Sequence, residues 1–341
     1  MRNDLDITVI ICTRNRAASL AETLGHLAAA DRTNVKAEIC IVDNDSSDDI
    51  ASVIDRFKDR LAIRVLHEPE TGFFGKAAAL NCAIENGNLA PLIAVLDDDM
   101  SPRPDWFQQV LRISREAPEA DLFGGRICVE WPTENVPKWA FDPCVHQWLF
   151  SLAENGPNPK WLSLGGAFSS NHYWFRRQAL PSTRPFRHIH LLTEADFMLE
   201  LAEKGVKALW HPDAVAAHRI QKEFLDEKFA RWRSELVGRA TAELRVASHR
   251  NSAKSRLLRR HPVLGRLYCA SQLAYWKGIE WISVAHPNRN RRVALGLLAA
   301  RWSTCYLEML SRANEIDEFL PRLLRPFRRA RMLAPLALLL E

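Results

Sequence analysis

One design repeats along the first hundred residues, and it restricts the fold more than any other feature of the chain. "ITVIIC" (7–12) is a short β-branched run, and "TRNRAASLAETLGHLAAA" after it places Leu20, Leu24 and Leu27 at helical spacing. "AEICIVDNDSSDD" (37–49) is a second buried strand ending in an acid-rich loop, where Ser46, Ser47 or Asp48 would cap the helix "IASVIDRF". "AIRVLHEP" reads as a third strand, "GKAAALNCAIENG" as an Ala-rich helix closed by Gly87, and "LIAVL" as a fourth strand. Strands alternating with helices at this pace imply a doubly wound α/β sheet with a largely parallel core. In such sheets ligands bind beyond the carboxyl ends of the strands. Thr13-Arg14-Asn15-Arg16, Asp43-Asn44 and Asp97-Asp98-Asp99 each follow a strand, so all three sets are expected on one edge. Three adjacent carboxylates repel one another, and either water or a cation must offset that repulsion. The shared address favours a cation.

What is missing narrows the chemistry. No G-x-G-x-x-G follows the first strand and no G-x-x-x-x-G-K-[ST] occurs, so a dinucleotide oxidoreductase and a P-loop NTPase both lack their phosphate cradle. If phosphates bind here, a divalent metal held by carboxylates must neutralise them. The seven cysteines are dispersed, with no C-x-x-C pair, which reads as reduced thiols in a cytoplasmic protein. The N-terminal residues carry no signal-peptide pattern. Charge is uneven: residues 250–341 hold 17 Lys+Arg and 6 Asp+Glu, within a chain of 341 residues whose formal net charge is +5. An acidic body with a basic C-terminal third suggests two functional zones.

Strand-"CTRNR", strand-"VDNDSSD", "GKAAALN" and "LDDDMSP", in this order, resemble the nucleotide-diphospho-sugar half of a family 2 glycosyltransferase with the GT-A fold. "LLTEADFMLELAEKGVKALWHPDAVAAHR" resembles the acceptor-side stretch of that family, where an acidic pair precedes an amphipathic helix, a strand, "PDA" and a His. The resemblance covers roughly residues 5–247 and is carried by the ordered set. It implies an α/β GT-A mixed sheet with helices on both faces, a catalytic domain over 1–247 (nucleotide-sugar half 1–125, acceptor half 126–247) and a basic helical extension over 248–341. Thr13, Arg14 and Arg16 would line the nucleotide pocket, Asp43 would accept from base or ribose, and Lys76 would lie near the diphosphate. Asp97 and Asp99 match a D-x-D pair, with Asp98 between them on the donor side. Asp99 and His218 would hold Mn²⁺ or Mg²⁺. Glu194 falls at the position of the general base, with Asp196 as its rival two residues on. This set implies inverting, metal-dependent transfer from a nucleotide diphosphate sugar, a UDP-sugar by family frequency, to a hydroxyl of a saccharide or lipid-linked saccharide.

Other segments are read more coarsely. The Trp-Pro and Pro-Lys-Trp elements resemble those of bacterial family 2 enzymes that build polysaccharides or glycolipids, and Trp131, Trp139, Trp148 or Trp161 would then offer a sugar platform. "SSNHYWFRR" aligns with a sugar-pocket segment, which makes His172 and Trp174 candidates. "KFARW" (228–232) resembles the Q-x-x-R-W element of processive members with Lys in place of Gln, and no membrane span is read in the chain. The helical C-terminal third mixes Leu, Trp and Tyr with Arg, suited either to packing on protein, including a second subunit, or to lying on the anionic inner face of a membrane. No nucleic-acid partner is expected. Two other function classes share parts of the pattern: a nucleotidyltransferase that makes the activated sugar, and a non-catalytic membrane adaptor.

Overall fold

The structure is a computed structural model, and it describes residues 4–69, 75–86, 89–162, 171–187, 191–247 and 261–315. Strands β1 (Ile7–Thr13), β2 (Ala37–Asp43), β3 (Ile63–His67) and β4 (Leu92–Leu96) run parallel in the order β3-β2-β1-β4. Helices α1 (Ala17–Ala29), α2 (Ile50–Phe57) and α3 (Gly75–Asn86) connect them. The apolar alternation of β1 decides which face each helix covers. Ile7, Val9 and Ile11 point into a core shared with α1, α2 and α4 (Trp106–Glu116), whereas Ile10 points into one shared with α3 and α6 (Thr193–Glu203). Helices therefore sit on both faces.

The second half makes the sheet mixed. β8 (His172–Arg176) enters antiparallel between β4 and β6 (Leu122–Glu130). The long β9 (Ala208–Arg219) runs parallel to β6, and two three-residue strands, β5 (Met100–Pro102) and β7 (Lys160–Leu162), pair antiparallel to it. The expectation of a largely parallel core holds, since β1–β4, β6 and β9 all point the same way, and the reversed β5, β7 and β8 make the sheet mixed. The short β5 matters most for function, because its register sets Met100 opposite His218 across a sequence gap of more than a hundred residues.

Two capping details differ from the sequence reading. Asp49, not Ser46, Ser47 or Asp48, caps α2 by accepting from the Ser52 N–H at 3.0 Å. Asp48 instead crosses to the start of α1, where it accepts from the Ala17 N–H at 2.7 Å. That places a carboxylate at the positive end of another helix, which satisfies an orphan donor there. Gly87 lies outside the described residues.

The C-terminal helices are α7 (Glu227–Ala247), α8 (Pro262–Val284) and α9 (Arg289–Glu315). Ala294 and Leu297 of α9 share one apolar core with Trp139, Leu149 of the short α5 (His146–Leu149), Phe150, Phe224 and Ala230. Among the described residues no helix is long and apolar enough to cross a membrane. Gly238 of α7 lies against the backbone of α9: a Cβ built there would stand 2.3 Å from the Arg301 carbonyl oxygen. Gly238→Leu is therefore expected to wedge α7 from α9 and cost about 1–3 kcal/mol, read as a lower midpoint in thermal unfolding; an unchanged midpoint would show that the two helices do not pack this way.

Candidate active site

The site forms where β1, β2 and β4 end. The two loops after β1 and β2 are tied to each other before either meets a ligand. Asn15, in the left-handed region at φ 52°, accepts from the Ser47 N–H at 2.7 Å, and its own N–H donates to Ser46 Oγ at 3.1 Å. The Asn44 N–H donates to the Thr13 carbonyl, and Asp43 accepts from the Ser46 N–H at 3.0 Å. Asn and Asp tolerate this backbone because their short polar side chains bond locally. Arg14 of the same loop is exposed.

Each carboxylate of the Asp97-Asp98-Asp99 turn has its own partner. Asp98 is buried; it accepts from Thr13 Oγ1 at 2.7 Å and pairs with Arg16 at 2.8 Å. Burial pushes its pKa up to about 7 against the pull of Arg16 and Thr13. Asp99 pairs with Arg16 at 2.8 Å and faces His218 Nε2 at 3.5 Å, both through Oδ2. Burial would raise the Asp99 pKa, but His218 and Arg16 together hold it well below the usual carboxylate range. Asp97 pairs with Lys76 at 2.8 Å. The backbone of the turn is clasped as well: Arg219 donates to the Asp98 and Met100 carbonyls at 3.0 and 2.9 Å and to Thr23 Oγ1 at 2.7 Å.

Lys76 joins the two halves of the site. Its ammonium lies 2.8 Å from Asp97 and 2.5 Å from Glu194 Oε1, in the first turn of α6. Burial disfavours the ammonium, yet the two carboxylates raise the Lys76 pKa well above its ordinary value. Glu194 is 1% exposed, and burial raises its pKa although Lys76 opposes the rise. Asp196 is placed differently. Both of its oxygens are forked by Arg187, at 2.6 and 2.5 Å, and the carboxylate is fully buried. Glu194 therefore faces the Asp cluster through a shared cation, while Asp196 is spent on a neighbouring arginine.

His218 reaches Asp99 because β5 pairs with β9. Its other nitrogen, Nδ1, lies 2.8 Å from the Phe150 carbonyl, so a proton on Nδ1 leaves Nε2 free to act as a ligand. Burial lowers the His218 pKa, but the hydrogen bond and charge of Asp99, with the Phe150 carbonyl, together outweigh it and the net direction is up. Asp99 Oδ1 is buried and accepts no hydrogen bond among the described residues. Among the described residues no group of three or more potential metal-binding side chains is gathered. Asp99 and His218 fit a cation that takes its remaining ligands from diphosphate oxygens and water, as Mg²⁺ and Mn²⁺ commonly do.

The aromatic candidates fall elsewhere. Trp139, His172 and Trp174 are all buried. His172 accepts from the Trp106 indole at 2.7 Å, and burial holds its pKa down at about 4. Trp174 stacks on Phe123 and donates to Ser114 Oγ at 2.9 Å. Trp139 lies beside Phe150 in the third core. Buried at 0–1% exposure among core side chains, none of the three offers a ring to a sugar, so the structure corrects their reading as pocket residues. Trp161 is exposed and Trp131 and Trp148 are half-buried. In "KFARW", Arg231 turns to Glu280 and Glu235.

The sequence reading passed over two arginines. Arg219 follows the motif His directly and holds the Asp turn. Arg233, two residues past Arg231 on α7, has neither a hydrogen-bond nor an ion-pair partner among the described residues. Its guanidinium lies over the Phe224 ring at 4.7 Å. Burial lowers its pKa, and the charges it feels are those of Asp99, Arg16 and Asp97. Only the alternation of "RWR" hinted that one of these cations turns inward.

The chain is 28% identical over 233 residues to validoxylamine A glucosyltransferase from Streptomyces hygroscopicus subsp. jinggangensis, which covers 67% of this chain and 49% of that protein. It thus spans about half the length of that relative. Among solved structures it resembles the mannosyltransferase PcManGT from Pyrobaculum calidifontis in complex with GDP-Man and Mn²⁺, at a TM-score of 0.57 and 18% identity, covering 90% and 88% of the two chains. It also resembles S. aureus TarS in complex with UDP-GlcNAc, at a TM-score of 0.50 and 13% identity, covering 91% and 92%. These likenesses show a GT-A type fold. The family model Glycosyl transferase family 2 matches residues 8–180, more than half of the sequence, and the chain belongs to that family.

Proposed function

We propose that this chain is an inverting glycosyltransferase that moves a sugar from a nucleotide diphosphate donor, in the first instance a UDP-sugar, to a hydroxyl of a saccharide or lipid-linked saccharide, at the inner face of a membrane. The observation that carries the reading is Lys76, one half-buried cation shared between Asp97 at the end of β4 and Glu194 at the start of α6. It links a donor-side carboxylate to a buried carboxylate of raised basicity that has no other evident purpose. A sugar hydroxyl is a poor nucleophile, and a carboxylate within hydrogen-bond reach takes its proton as the new bond forms. In the reaction the acceptor oxygen bonds the anomeric carbon, its proton passes to Glu194, and the bond from that carbon to the phosphate oxygen breaks. The base and the departing diphosphate lie on opposite sides of the anomeric carbon, so a single displacement inverts it.

Arg16, Lys76 and Arg233 supply positive charge where the diphosphate leaves. A divalent cation held by Asp99 and His218 would add Lewis-acid stabilisation of that leaving group. The solved neighbours with GDP-Man and Mn²⁺ and with UDP-GlcNAc support a nucleotide-sugar donor. They differ in nucleotide, so the uracil assignment rests on the sequence resemblance.

Glu194→Gln is expected to lower kcat by roughly 10³-fold while leaving nucleotide diphosphate affinity within about twofold; Asp196→Asn instead lowers the unfolding midpoint because it strips a carboxylate from Arg187. Retained turnover in Glu194→Gln with loss in Asp196→Asn would move the base by two residues. Because Glu194 must be ionised to act and its pKa is raised, kcat/KM should climb with pH through a limb above the ordinary carboxylate range. Lys76 lowers that pKa, so Lys76→Met moves the limb to still higher pH; a limb that stays put would separate Lys76 from the base. For the donor side, calorimetry of nucleoside diphosphates with Mn²⁺ and with EDTA should give tight binding that EDTA abolishes and Asp99→Asn weakens. Arg233→Ala should raise the donor KM about tenfold, with partial rescue by Arg233→Lys; an unchanged KM removes Arg233 from the donor site.

A further inference from the structure

The exposed side of α8 inverts the usual order of a surface helix. Its 23 residues span about 34 Å. One face packs on α9, through contacts such as Trp276 with Trp302 and Tyr268 with Tyr306. On the other face a charged fringe would be normal. Instead every exposed residue of the helix is uncharged. Val263, Leu264, Leu267, Tyr275, Trp281 and Ile282 stand out at 48–78% exposure, with Trp281 the highest. Their spacing of three, four and seven residues puts them on one side. The three charges of the helix, Arg266, Lys277 and Glu280, are all half-buried; Lys277 and Glu280 are paired with each other, and Glu280 also binds Arg231. An uncharged strip of this length, apolar but for Ser271, on a surface helix marks a binding surface.

Charge selects the occupant. The region that carries α8, residues 250–341, has 17 basic and 6 acidic groups, whereas the rest of the chain is net acidic. Exposed Arg289 and Arg292 sit just beyond the C-terminal end of the strip. A second copy would bring two such basic regions together. An anionic bilayer would accept both the aliphatic strip and the basic flank, with Trp281 and Tyr275 suited to the headgroup boundary. We infer that the outward face of α8 is a docking surface for an anionic lipid bilayer, held parallel to the membrane plane. The inference rests on the transferase reading only for its use, namely that a lipid-linked acceptor would be met at the surface. Geometry supports that use: Arg231, which anchors Glu280 beside Trp281, is two residues from Arg233 and one from the exposed Trp232.

The test is sedimentation of the full chain with vesicles of phosphatidylcholine alone and of phosphatidylcholine with phosphatidylglycerol, alongside the double variant Leu267→Gln/Trp281→Ser. Both positions are exposed, so the variant should keep its unfolding midpoint and its Mn²⁺-dependent nucleotide affinity. Binding to the anionic vesicles, weakened by salt and reduced at least tenfold in the variant, is the expected result. Absent binding, equal binding to neutral vesicles, or undiminished binding by the variant would overturn it. So would a lipid-free dimer in sedimentation velocity that the variant dissolves, which would give the strip to a second copy. Nucleotide affinity is measured on the same samples. Vesicle binding without nucleotide binding would uphold the surface and sink the transferase reading; the reverse pattern would do the opposite.

Discussion

The site depends on how three like charges are kept at the end of a buried strand. Every residue of β4 is buried, so the chain arrives at Asp97 with no room to fan its carboxylates into water. The turn survives because every side chain meets a cation: Asp97 meets Lys76, and Asp98 and Asp99 share Arg16, with Thr13 added for Asp98 and His218 for Asp99. Arg219 fixes the carbonyls behind them. Removing one cation would leave a buried charge uncompensated, which costs far more than the pair contributes. Hence the loop after β1, the start of α3 and the end of β9 are all held in place by the same electrostatic requirement.

The first four strands and the polar sets at their ends were legible because the signals are local. A β-branched run, a polar loop and a helical stripe lie within about thirty residues of each other, and the α/β rule then sends the loops to one edge. The second half was legible only through resemblance. Nothing in "NHYWFR" announces a strand that runs antiparallel between β4 and β6, since its buried residues would suit any core position. The three-residue β5 is too short to show periodicity, yet its register is what brings His218 to Asp99.

The misplaced aromatics share one physical cause. Trp174 and His172 combine a ring with a polar tip, and from sequence such residues suit a sugar pocket and a core equally well. What decides is whether the tip has a partner inside, and those partners, Ser114 and Trp106, lie on α4, some sixty residues away. The two arginines passed over pose the opposite problem. A chain with 46 Lys+Arg gives no sign of which cation turns inward. Arg233 is distinguished only by what α7 packs against, the Phe224 ring on one side and the Asp cluster within electrostatic reach on the other.

Charge balance explains why the site would bind donor and cation together. Asp97, Asp98, Asp99 and Glu194 bring four carboxylates; Lys76, Arg16 and Arg233 bring three permanent cations, and Arg219 is already engaged with Glu22 and the backbone. The free site is therefore close to neutral, with Asp98 and Glu194 both pushed toward their protonated forms by burial. A nucleotide diphosphate sugar adds further negative charge to this low-dielectric edge. Without a matching positive charge it would raise the Glu194 pKa again and disable the base it needs. On the proposed reading, a divalent cation at Asp99 and His218 would ease that conflict, since with Arg16 and Arg233 it would carry most of the diphosphate's charge and leave enough of the Lys76 charge on Glu194 to keep it ionised. The same arithmetic accounts for the unshared oxygen of Asp99. On the proposed reading, that buried oxygen would be left over for a charge that arrives with the donor, in a turn where the other carboxylates are held by protein donors.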